Sequence, residues 1–166
     1  MPKKIFTVLL ALSLSLSASS VLAEEGEYTA LGETGIQIRL APGFEKQQLS
    51  EEDLREGVVV WYALIFAEGA EGKHVTAVYD PEETRPLEEC IKEYREDPFY
   101  SDVSILETEA GLEFLCFTLG EERPVRKVVE ISLGEKGYLD IIFEPYADEE
   151  DTETVDAMIR SLRAGE

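Results

Sequence analysis

The sequence predicts an α+β domain in which one mostly antiparallel sheet of about six strands is covered by helices on both faces, an α/β/α sandwich. Three observations lead there. The apolar pattern runs as strands, a helix, a four-strand meander and a closing helix. Two of the strands are apolar on both sides, so each needs cover above and below. Each helix carries one apolar stripe, the kind of face that supplies such cover.

Taken in order, Gly35 leads into Ile36-Gln37-Ile38-Arg39-Leu40, whose alternation puts Ile36, Ile38 and Leu40 on one buried face of a strand. Pro42-Gly43-Phe44 turns the chain, and Ser50 with Asp53 and Gly57 predicts one or two capped helical turns. Val58 to Phe66 is apolar on both faces and reads as a strand in the middle of the sheet. His74 to Tyr79 follows the loop Glu68-Gly69-Ala70-Glu71-Gly72, so the two strands form a hairpin. Thr84 is placed to cap a helix with Leu87, Cys90, Ile91 and Tyr94 on one face, and Pro98 stops it. The meander is Val103 to Thr108, Leu112 to Leu119, Val125 to Leu133 and Tyr138 to Phe143. Gly111, Gly120 with Pro124, and Gly134 with Gly137 punctuate it. In the last helix Val155, Met158, Ile159 and Leu162 face inward. Its first turn holds Asp148 to Asp151 and its last Arg160 and Arg163 before Gly165, as the helix dipole favours.

The opening Gly35 to Phe44, the helix Pro86-Leu87-Glu88-Glu89-Cys90-Ile91, the meander, and the closing Ile159-Arg160-Ser161-Leu162-Arg163 together resemble the PsbP-like, or Mog-like, family over roughly residues 28 to 163. That resemblance implies the same α/β/α sandwich and a partner-binding role. The eponymous members bind a photosystem and a nuclear-transport GTPase. No functional residue carries over, because no partner-contacting motif matches position by position.

The N-terminus has the pattern of a signal peptide: Lys3 and Lys4, an apolar run from Ile5 to Leu16, then small residues ending at Val21-Leu22-Ala23. Cleavage between Ala23 and Glu24 is expected, making residues 1–23 the signal and residues 24–166 a single acidic domain. A membrane anchor is the weaker reading, since the apolar run is shorter than a bilayer-spanning helix needs. With no cysteine near the cut to take a lipid, secretion without an anchor is the expectation. The full chain has 15 basic and 36 acidic residues, a net charge of −21. Loss of the two signal lysines makes it −23, a field that repels nucleic acid and anionic lipid. A partner with a basic surface is the complement of that field.

Little in the sequence points to catalysis. The one histidine, His74, stands at a strand start with no adjacent nucleophile pattern. Phosphate-loop, nucleophile-elbow and metalloprotease motifs do not occur, and no cofactor or metal is expected. Asp148 to Asp151 lacks the alternating ligands and glycine of a calcium loop. The favoured function is a secreted, non-catalytic binding or accessory module for a protein or other extracellular ligand. Its candidate anchors are the loop aromatics Phe99, Tyr100 and Tyr146, which could equally fold back over the core. The alternative is a carboxylate-dependent hydrolase or metal-dependent enzyme using Asp97, Asp102 or Asp140 brought together by the fold. Cys90 and Cys116 bridge if the middle helix covers the Cys116 face of its strand, and are two buried thiols if it covers the other.

Overall fold

The computed structural model describes residues 26–47, 64–69, 72–120 and 125–165. The predicted signal peptide with its Ala23/Glu24 cut, the capped turn from Ser50 to Gly57 and the first part of the Val58 strand lie outside the described residues.

The described elements are β1 (Tyr28–Ala30), β2 (Ile36–Arg39), β3 (Glu45–Gln47), β4 (Leu64–Glu68), β5 (His74–Asp80), α1 (Leu87–Glu96), β6 (Tyr100–Glu107), β7 (Glu113–Leu119), β8 (Arg126–Ser132), β9 (Tyr138–Glu144), α2 (Glu149–Arg160) and β10 (Arg163–Ala164). They form two antiparallel sheets. A seven-stranded sheet has the order β3-β4-β5-β9-β8-β7-β6, and a three-stranded one has the order β1-β2-β10.

This corrects the predicted α/β/α sandwich. The protein is mostly β, with a second sheet where helical cover was expected. One face of the large sheet presents Ala77, Phe114, Cys116, Val129, Ile131, Ile141 and Phe143. Against it pack Val155, Met158, Ile159 and Leu162 from the C-terminal segment together with Leu31, Ile36 and Ile38 from the small sheet and its turn. The opposite face presents Leu115, Phe117, Val128 and Tyr138 to Leu87, Cys90 and Ile91 of α1. The physical reason is supply: α2 has only 12 residues, about 18 Å of helix, too little to cover seven strands alone. Ile36 and Ile38, buried as their alternation predicts, provide the rest.

The meander forms as expected, and Gly69 N donates to Lys73 O to close the β4–β5 hairpin. The two double-sided strands are not central, however. β4 and β7 each lie one strand in from an edge, and β5, β9 and β8 occupy the middle. For β7, whose Phe114 to Thr118 are all buried, double-sided burial therefore reports a covered strand, not a central one. At the β8–β9 turn Gly137 adopts φ 109°, and a Cβ there would meet Asp80 O at 2.1 Å, so only glycine fits.

Both helices start differently from one another. Asp148 caps α2, its side chain accepting from Asp151 N at 2.9 Å, a contact worth about 1 kcal/mol. α1 has Pro86 at its N-cap and no side-chain cap, so the Thr84 cap does not form; Pro86 O instead accepts from Glu89 N and Cys90 N. α2 ends at Arg160, and Arg163 belongs to β10, not to the last helical turn. There Arg163 Nε donates to Gln37 Oε1, and its guanidinium lies 3.4 Å from the centre of the Tyr28 ring, with Arg39 at 4.4 Å.

Candidate functional site

β8 reads Arg-Lys-Val-Val-Glu-Ile-Ser, and its register places Glu130 directly opposite Asp140 of β9. Strand alternation puts both carboxylates on the α1 side of the sheet, beside Leu115 and Val78. Glu130 is only 8% exposed. Tyr94, in the last turn of α1, donates its hydroxyl to Glu130 Oε1 at 3.0 Å. Burial pushes the Glu130 carboxyl up to about 8; Asp140 adds to the rise, while Tyr94 and Arg85 oppose it. Burial likewise raises Asp140 to about 7, helped by the negative charges of Asp80 and Glu83. Near neutral pH Glu130 is thus chiefly a neutral acid, the protonation state a general acid requires. Burial also raises the Tyr94, Tyr138 and Cys90 groups around the pair.

Tyr94 also organises an aromatic cluster. Its ring stacks on Tyr100 at 4.4 Å and 14°, and both meet Phe117 edge-on at 5.1 Å. Tyr100 is the first residue of β6, so an expected loop aromatic is a strand residue that closes the core. Tyr146 also folds back: its hydroxyl donates to Asp156 Oδ1 at 3.3 Å, and Lys127 Nζ sits 5.2 Å from its ring centre. Phe99 differs from both, being 75% exposed. Its backbone N donates to Asp97 Oδ1, which fixes the corner between α1 and β6.

The three carboxylates singled out from the sequence do not converge. Asp97 ends α1 and shapes that corner. Asp102 lies in a bulge of β6, near Thr118 Oγ1 on the α2 side of the sheet, whereas Asp140 lies on the α1 side. Glu130, the actual neighbour of Asp140, was missed because acids are so common in this chain. The signal was a single glutamate inside the otherwise β-branched run Val128-Val129-Glu130-Ile131.

The two cysteines are free thiols. α1 carries Cys90 onto the Leu115 side of the sheet, while Cys116 points to the α2 side, so the bridge does not form. Burial raises both thiols above their ordinary range. His74, at the start of β5, lines a shallow depression with Lys73, Glu144 and Asp151 that has room for about one water. Lys73 Nζ fills part of it through a 3.0 Å ion pair with Asp151. Among the described residues, no three His, Cys, Asp or Glu side chains are grouped to hold a metal ion, and no helix is long and apolar enough to cross a membrane. The chain matches no family model, no curated protein and no solved structure.

Proposed function

We propose that the chain is an exported, non-catalytic binding module for a protein partner with a basic surface. One observation carries this reading. The large apolar side chains left exposed among the described residues, Phe99 at 75% and Leu106 at 46%, stand at the two ends of edge strand β6 in a chain of net charge −21. Exposed apolar anchors on a chain of large one-signed net charge suit an interface of complementary sign. The test is capture from the producing cell's envelope and medium by residues 24–166, in parallel with the Phe99→Ser/Leu106→Ser double variant. A partner retained by the parent and lost by the variant is the expected outcome. Its association rate should fall several-fold from 0.01 to 0.1 M salt, as the Debye length contracts from about 30 to about 10 Å. Equal capture by the double variant would refute the reading.

A second reading, a carboxylate-dependent hydrolase, is supported by the raised Glu130–Asp140 pair. Loss of any hydrolytic activity in Glu130→Gln, with the fold kept, would favour it.

A further inference from the structure

We infer that the outer edge of β6 takes up an extended segment of the partner by strand addition, the segment alternating lysine or arginine with apolar residues. This rests on the binding-module reading and adds the site and the chemistry of the occupant.

Among the described residues the edge is open over a definite stretch. Thr108 N donates to Leu112 O at 2.9 Å and Gly111 N to Thr108 O, which fixes the phase of the β6–β7 hydrogen bonds. Counting back along the register, Leu106↔Phe114 and Ser104↔Cys116 are the hydrogen-bonded pairs. The peptide groups of Ile105 and Glu107 therefore point away from β7, and no described strand lies outside β6 to meet them. Two features limit the stretch. A register shift falls between Ser101 and Ser104, with Asp102 at φ 55°, and the Arg95 guanidinium occupies Val103 O at 3.3–3.4 Å. Ser104 to Glu107 is what remains, four residues offering two outward N–H and two outward C=O groups.

The side chains specify the occupant. Leu106 stands on the α2 side of the sheet and is 46% exposed, so the residue passing it should be apolar. Glu107 projects to the other side, directly opposite Glu113 of β7, and both are exposed. Like charges so placed destabilise a strand pair. A lysine or arginine crossing beside Glu107 relieves both carboxylates, and one-residue alternation between the two faces follows from the strand period. A second copy of this chain fits badly. It would add another acidic edge to this one, between two molecules of net charge −21.

The probe is a capped octapeptide of alternating lysine and valine, added to isotope-labelled residues 24–166 and followed by amide shifts and hydrogen exchange. Protection of the Ile105 and Glu107 amides is expected. Affinity should drop at least tenfold for a glutamate–valine peptide, and equally for a lysine–valine peptide N-methylated at alternate residues, which keeps its charge but cannot pair. Glu107→Pro, which removes one outward N–H at an exposed position, should weaken binding at least tenfold with its fold intact by amide spectrum. Equal binding of the N-methylated peptide, unprotected Ile105 and Glu107 amides, or a peptide-induced dimer would each overturn strand addition. If Glu107→Pro still captures the partner that Phe99→Ser/Leu106→Ser loses, the edge inference fails while the binding module stands.

Discussion

The two faces of the seven-stranded sheet are lined by the same strands and yet are chemically unlike. On the α2 side, Val129, Ile131, Ile141 and Phe143 are fully or almost fully buried, and the strands contribute apolar packing. On the α1 side, one residue along in the same strands, Glu130 and Asp140 sit among Leu115, Phe117 and Tyr138. The first face holds the fold together at any pH at which the chain is soluble. The second makes stability depend on protons, because a buried carboxylate is tolerated mainly in its neutral form.

The largest expected effect breaks the apolar face. Phe143→Ala removes a fully buried ring and should cost about 3–5 kcal/mol in denaturant unfolding, with little dependence on pH. A loss under 1 kcal/mol would mean that this face is not the main core. Next comes the charged face. The folded Glu130 carboxyl titrates at about 8, above its ordinary 4.5, so its favourable contribution is complete below about 4.5 and is lost as pH rises through about 8. Glu130→Gln keeps an acceptor for Tyr94 and has no proton to lose. It should match the parent at pH 4 and exceed it by ~1–3 kcal/mol at pH 9. Parallel stability curves over that range would contradict a buried, raised glutamate. A smaller change is expected from Tyr94→Phe, which keeps the stack on Tyr100 but drops the donor to Glu130, at a cost of about 1 kcal/mol. That donor favours the ionised carboxylate, so the cost should grow as pH rises, and a cost largest at pH 4 would reverse the assignment. The mildest test changes no interaction. Thiol titration of unreduced, denatured protein should give two free thiols, one from each face; none would mean that Cys90 and Cys116 meet.

Which parts could be read in advance follows from the length of each pattern. The meander strands run seven or eight residues with glycine between them, and all four were legible to within a few residues. Ile36 and Ile38 were legible as buried, but not the sheet they belong to, since β1 and β10 have three and two residues and no alternation to detect. That gap misled the prediction of layers: without a second sheet, only helices were left to cover the double-sided strands. The thiol pair turned on which face α1 covers, a matter of handedness and packing that helical spacing does not encode. For the same reason Asp102 and Asp140 were grouped although a sheet separates them. Tyr100 was misplaced by three residues, because β6 starts before the bulge that interrupts its pattern.

The clasp at Tyr28 bears on how this chain could be rebuilt. β1 and β10 flank β2, with Tyr28 opposite Arg39 and Arg163 opposite Gln37; Gly26 lies beside Leu40 and Gly165 beside Gly35, so the two ends of the described fold sit across β2 and at opposite ends of it, roughly 20 Å apart. The Arg39–Tyr28–Arg163 stack keeps them there whatever order the strands are made in. A glycine-serine linker of about twelve residues from 165 to 26 could therefore join them. New termini opened in the Glu109-Ala110-Gly111 turn would give a circular permutant with the same two sheets, its free ends beside the β6 edge.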